Sequence, residues 1–277
     1  MQSSHSKVPF LTDTTLGAPV IALTVAYDGA RFSGFARQPD KVTVQECLEK
    51  SLATVLRREV PIVGAGRTDA GVHALGQVVS FPFEGELPPP EVLMRSLNAI
   101  TPGIVVREVR CARPGFSARF DAQRREYRYR LHAGPVRPLF SASVTWWVKK
   151  ELDLEAMTAS AALLVGEHDF RSFCVTDSAT GKHTVRRIES IEIVEECVLG
   201  EPCLSVRVVG NAFLHSMVRT IVGSLVEVGV GRFGADWIGE ALAAKERSAA
   251  GQTAPACGLT LWSVGYPDEV WLGEGKA

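Results

Sequence analysis

The sequence holds no run of ~18 apolar residues, the least that a bilayer-crossing helix needs. Its best candidate, Phe213 to Val230, is interrupted by His215, Arg219 and Glu227, so no membrane span is expected. Residues 1–19 lack the charged start and apolar centre of a signal peptide and read as a loose tail. There is no Cys-x-x-Cys pair. Cys47, Cys111, Cys174, Cys197, Cys203 and Cys257 are scattered, which argues against a disulfide framework or a zinc site and points to a reducing cytoplasm. His73, His168 and His183 form no ligand spacing, so no metal is expected. An excess of one charge is also missing. Thirty basic and 31 acidic residues leave a formal net charge of −1.

What is present is an ordinary globular composition, 46% hydrophobic and 22% charged, over 277 residues. At ~150 residues per domain this is one large domain or two medium ones. The charges are sorted along the chain. Arg107 to Arg137 carries nine arginines against Glu108, Asp121 and Glu126, a surplus of six, whereas Glu189 to Glu201 carries five glutamates and no lysine or arginine. Such sorting can give a near-neutral chain one phosphate-attracting face, although a solvated strand surface explains it as well.

Hydrophobic periodicity gives an element order. A strand over Val20–Tyr27 ends at Asp28-Gly29, and Thr43-Val44-Gln45-Glu46 is a capping box for a helix to about Arg57. Strands over Val60–Ala65 and Gly76–Phe83 flank a glycine-containing loop. A proline-started helix near Glu91–Ile100 and a strand over Ile104–Cys111 complete a β-α-β-β-α-β order. The second half repeats it, with strands over Arg124–His132, Arg186–Val198, Leu204–Val209 and Leu259–Gly265. Its helices are expected over Asp153–Val165, from Ala212 to about Val228 with Asn211 as cap, and over Ala235–Lys245. The expected fold class is α+β, two tandem ferredoxin-like halves with antiparallel sheets flanking a central cleft. The expected division is a tail over 1–19, an N-terminal half over 20–115 and a C-terminal half over 116–277.

Gly64-Ala65-Gly66-Arg67-Thr68-Asp69-Ala70-Gly71-Val72-His73 is the densest cluster of functional residue types. It lacks the Lys-Ser/Thr pair of a phosphate loop, and Asp69 stands where a dinucleotide fingerprint needs glycine. The alternative is a tight turn in which Asp69 caps backbone amides. Gly229-Val230-Gly231-Arg232-Phe233-Gly234 spells G-x-G-x-x-G, but it follows a helix and not a strand, so it reads as a helix stop. On the strand from Arg124, Arg125, Tyr127 and Tyr129 share one face, and Arg124, Glu126, Arg128 and Arg130 the other. Aromatics beside arginines can stack on bases and neutralise phosphates, or simply form a half-buried strand. Arg219 either snorkels to water or meets a buried acid.

Together with Tyr27-Asp28-Gly29, Gly76-Gln77-Val78-Val79, Tyr127-Arg128-Tyr129 and Asn211 through Arg219, the glycine-rich loop resembles the TruA family of tRNA pseudouridine synthases from about Ile21 to Pro267. The resemblance implies an enzyme without cofactor or metal that isomerises uridine in the anticodon stem-loop of tRNA, working as a homodimer. It places Asp69 on the family's catalytic aspartate, Tyr127 on its active-site tyrosine and Arg219 on the arginine that pairs with the aspartate. Arg67 falls on an arginine that helps hold the base out of its stack. Arg37, Gln38 and His73 are further substrate-binding candidates. The family commonly has Gly-Trp-Gln-Arg-Gln where this chain has Gly34-Phe35-Ala36-Arg37-Gln38, which puts the preference among target uridines in doubt. On this reading the arginine surplus is expected to face RNA. A non-catalytic RNA-binding protein and a nucleotide-dependent oxidoreductase are the rivals.

Overall fold

The computed structural model describes residues 17–176, 181 and 183–273, so most of the tail expected over residues 1–19 lies outside them. In the N-terminal half, β1 (Val20–Tyr27), β2 (Val63–Gly64), β3 (His73–Pro82) and β4 (Ile104–Ala112) are accompanied by α1 (Val44–Leu56) and α2 (Pro90–Ile100). Helix α1 starts where Thr43, extended at φ −126°, accepts the Glu46 N–H on its hydroxyl. It buries Val44, Leu48 and Leu52, one helical stripe. Helix α2 opens on proline, which has no N–H to leave unpaired, and buries Leu93 and Leu97.

The C-terminal half contains β5 (Arg124–Ala133), β6 (Trp146–Val148), β7 (Gly166–Asp169), β8 (Val185–Val198), β9 (Glu201–Gly210) and β10 (Leu259–Gly265). Its helices are α3 (Leu154–Ala162), α4 (Met217–Gly229) and α5 (Trp237–Ala244). Asp153 caps α3 by accepting the Ala156 N–H at 2.9 Å. Two element bounds are corrected, and two short strands are added. The Val60–Ala65 strand shrinks to two residues. The strands β6 and β7 have too few residues to show a period in sequence. Helix α4 begins at Met217, five residues later than expected, because the Asn211 side chain is engaged elsewhere, accepting the Arg187 N–H at 3.0 Å.

The strands form one ten-stranded, mostly antiparallel sheet instead of two, in the order β4-β1-β3-β10-β5-β9-β8-β7, with β2 beside β3 and β6 beside β5. The joint is narrow: β10 runs parallel to β3 over Thr260↔His73 and Leu261↔Ala74, and antiparallel to β5 on its other side. Because side chains alternate along a strand, β1 sends Ile21, Leu23 and Val25 into the main core with Leu48, Leu97, Tyr129 and Ile221. Val20 and Ala22 point into a smaller core on the opposite face, closed by Phe116, Val270 and Trp271. The main core runs through both halves and so fixes β3, β5 and α4 relative to one another.

Candidate active site

The loop between β2 and β3 is held from several sides. The Tyr27 and Thr68 hydroxyls share a buried hydrogen bond of 2.8 Å. Gln77 donates to the Gly66 carbonyl at 2.9 Å, and Arg125 on β5 donates to the Ala65 carbonyl at 3.1 Å. The Phe35 N–H donates to the Thr68 carbonyl at 3.0 Å. Gly34, at φ +95°, lies so close that a Cβ there would stand 2.9 Å from that same carbonyl oxygen. These contacts fix the backbone on both sides of Asp69.

The chain enters α4 through Ser216, whose φ of 58° and ψ of 12° put it in the left-handed region, uncommon for serine. That conformation turns two consecutive residues toward one carboxylate. Ser216 Oγ donates to Asp69 Oδ2 at 2.9 Å, and His215 Nε2 lies 3.1 Å from Asp69 Oδ1. One turn further, Arg219 Nη1 donates to Oδ2 at 2.8 Å, while its Nε donates to the Ala254 carbonyl at 2.8 Å. Arg219 therefore meets an acid and does not snorkel. The Asp69 and Arg219 side chains are 24% and 18% exposed, so the pair is partly desolvated and its charge-assisted bond is strong. The segment carrying Ala254 reaches α4 because residue 223 is glycine. A Cβ there would stand 1.8 Å from the Gln252 carbonyl oxygen.

Tyr127 on β5 borders the same loop. A Cβ on Gly66 would lie 3.9 Å from its hydroxyl. Its ring is buried and meets Phe213 edge to face at 5.2 Å. Burial, reinforced by Tyr27 and Asp69 nearby and opposed by Arg125, pushes the Tyr127 phenol well above its ordinary pKa. Tyr127 therefore keeps its proton at neutral pH. Burial also raises Tyr27, to about 12.

The other sequence candidates divide. Arg67 is exposed beside Asp69 and makes no ion pair among the described residues. Arg37 pairs with the buried Glu49 of α1, and Gln38 donates to the Ser33 carbonyl at 2.6 Å, so both brace the loop that abuts Thr68 while keeping exposed edges. His73 is buried, and its Nδ1 accepts the Gly29 N–H at 3.1 Å, a bond that ties the end of β1 to β3. Phe35, where the family has tryptophan, is 3% exposed and packs against Gly64. It supports the loop from beneath.

The arginine surplus is largely spent inside the protein. Glu126 accepts from Arg128 Nε and Arg207 Nε, both at 2.9 Å, separating two arginines that face each other across β5 and β9. Burial raises its pKa, but the bonds from Arg207 and Arg128 override this and hold it below the ordinary value. Arg130 pairs with Glu196, Arg124 with Glu189 and Arg113 with Asp121. The glutamate-rich β8 is thus the counter-charge of the arginine-rich β5, one strand away across β9. Of the nine arginines, Arg119 and Arg137 pair with no carboxylate or carbonyl among the described residues.

His215 and Ser216 were not singled out as site residues by sequence. The signal that could have found them was His215 four positions before Arg219, but the expected helix start at Ala212 hid the turn that aims them. The Gly229–Gly234 segment is a helix stop, with the Arg232 N–H donating to the Glu227 carbonyl at 3.0 Å. Among the described residues, no group of three or more His, Cys, Asp or Glu could hold a metal ion. No helix among them is long and apolar enough to cross a membrane.

Known proteins share this arrangement of sequence. The profile of a family described as tRNA pseudouridine synthase matches residues 23–121 and 160–267. The chain is 43% identical over 242 residues to tRNA pseudouridine synthase A of Brevibacillus brevis, covering 87% of this chain and 97% of that protein. It is 45% identical over 262 residues to tRNA pseudouridine synthase A of Ralstonia nicotianae, covering 93% of each. The protein of the same name from Bacillus subtilis is 39% identical over 246 residues, 88% of this chain and 97% of its own. On these matches, the chain belongs to the tRNA pseudouridine synthase A family.

Proposed function

We infer that the chain isomerises uridine to pseudouridine in the anticodon stem-loop of tRNA and that Asp69 is its catalytic carboxylate. The observation that carries the reading is the seat of Asp69: a carboxylate delivered by one half of the chain and bound by Arg219 from the other, beside the buried ring of Tyr127. The reaction breaks the bond from ribose C1′ to the base nitrogen and forms a bond from C1′ to C5, with loss of the C5 hydrogen. A carboxylate can drive this as a nucleophile or by assisting elimination at the sugar. Arg219 holds the Asp69 carboxylate in place through a charge-assisted bond.

A uridine inside a stacked stem cannot reach this carboxylate, so it flips out at a cost of a few kcal/mol. Arg67, exposed and without an ion pair among the described residues, is placed to fill the gap. Tyr127 offers a ring face and a protonated hydroxyl to the base. Arg37 and Gln38 contact RNA only through their exposed edges. His73 shapes the loop. The strand orders support two ferredoxin-like halves, 20–115 and 116–277: β4-β1-β3 with β2 beside β3, and β10-β5-β9-β8. A homodimer acting on tRNA in the cytoplasm completes the reading.

The test uses tRNA labelled with tritium at uridine C5. Asp69→Asn keeps the side-chain shape but cannot attack C1′ or take its proton, so tritium release is expected to fall to background while tRNA binding and stability persist. Release at the parent rate would reduce Asp69 to a structural partner of Arg219 and Ser216.

A further inference from the structure

The two oxygens of Asp69 are not equivalent. Oδ2 accepts aligned bonds from Arg219 Nη1 and Ser216 Oγ, at 2.8 and 2.9 Å, which occupy the lone pairs a carboxylate oxygen can offer in its plane. Both donors are anchored. Arg219 is also tied to the Ala254 carbonyl, and the Ser216 carbonyl accepts the Thr220 N–H at 2.9 Å inside α4. Among the described residues Oδ1 has no such donor. Its one polar neighbour among them is His215 Nε2 at 3.1 Å, on a ring that is 53% exposed. The backbone of His215 is held, since its carbonyl accepts the Val175 N–H at 3.3 Å.

We propose that Oδ1 is the reacting oxygen of Asp69 and that His215 is the positioning residue that steers it, a reading that rests on the catalytic role of Asp69. The argument is geometric. An attacking atom needs a free lone pair about 3–3.5 Å from its target, and Oδ2 has none to spare. Anything that approaches Oδ1 to that distance lies beside the imidazole, which stands equally close to the same oxygen. Two donors on Oδ2 leave the carboxylate free to rock about that anchor. A third contact at Oδ1 stops the rocking. The left-handed turn at Ser216 makes this possible, because in regular helix or strand two consecutive side chains diverge and could not address one carboxylate. A strained, non-glycine backbone at such a place is a recognised mark of function.

The experiment compares the parent with Asp69→Asn, His215→Leu and His215→Gln under single turnover, with enzyme in excess over tritium-labelled tRNA. Release rate and tRNA affinity are measured separately, and unfolding curves are recorded for all. Because the ring is half exposed, the substitutions should leave folding intact. His215→Leu is expected to slow release about tenfold or more, the scale of a lost contact to a charged group, with affinity within about twofold. His215→Gln carries an N–H at the place of Nε2 and should recover most of the rate. Parent-rate release by His215→Leu beside a silent Asp69→Asn would refute the role of His215 and leave Asp69 standing. Parent-rate release by Asp69→Asn would refute the Asp69 reading itself. Equal loss in both His215 variants, or a loss confined to affinity, would also overturn the proposal, the first showing packing and the second RNA contact alone.

Discussion

Replacing Arg219 with alanine removes two bonds at once, one to Asp69 Oδ2 and one to the Ala254 carbonyl. A hydrogen bond between charged partners contributes about 1.5–3 kcal/mol, and leaving a buried carbonyl without its donor costs about 1–3 kcal/mol. Asp69 keeps the Ser216 bond and is 24% exposed, so water relieves part of the loss. The lower ends apply, and Arg219→Ala should destabilise the fold by about 2.5 kcal/mol. For a chain of this size that is a fall in melting temperature of ~5–10 °C. Urea unfolding followed by the fluorescence of the five tryptophans reads the first quantity directly. Combining Arg219→Ala with Asp69→Ala in a double-mutant cycle isolates the pair, with an expected coupling of at least ~1.5 kcal/mol. Arg219→Lys should recover part of the stability, because one ammonium cannot serve two acceptors in fixed directions. A coupling below ~0.5 kcal/mol would show that the two side chains are neighbours without being energetically linked, and the electrostatic account of the site would fail.

Gly223→Ala should cost at least about 2 kcal/mol and reduce turnover, because the new methyl would collide with the Gln252 carbonyl and push away the segment that anchors Arg219; parent melting and parent turnover would contradict this. Glu201 accepts the N–H groups of Leu139, Ser141 and Phe140 and the Ser141 hydroxyl, which hold its pKa at about 2 against an ordinary 4.5. A depressed carboxyl contributes its stability in full above the unfolded value, so this contribution is lost as pH falls from 4.5 through about 2. Glu201→Gln should remove that part of the acid dependence, and identical acid unfolding curves for variant and parent would refute it. Arg67→Gln should lower the slope of log affinity for tRNA against log salt by about one, whereas Arg128→Gln should lower melting temperature and leave that slope alone. Equal effects on the slope would mean that the network of Arg128 with Glu126 opens to meet RNA.

Helices α1 and α2 and strands β1 and β5 were legible because caps, prolines and alternation are local signals. The meeting of Asp69 with Arg219, 150 residues later, was not. No periodicity reports it, and it came from the resemblance alone. Ser216 was illegible for another reason: left-handed backbone is expected at glycine or asparagine, and the more attractive cap, Asn211, lay five residues upstream. The arginine run misled because charge was counted along the chain. Its partners on β8, Glu189 and Glu196, sit on a strand that meets it only after the sheet has formed.

The seam between β3 and β10 also sets a timetable for synthesis. Among the described strands β10 is made last, yet it fills the gap between the two halves. The segment carrying Ala254 emerges only shortly before it, so Asp69 can fold early within its own half and must wait for its counter-charge to be locked in place. A nascent chain halted before Leu259 would carry every residue of the site but no completed sheet to hold them together. Gain of activity during translation should therefore be a late and abrupt event, set by the last strand.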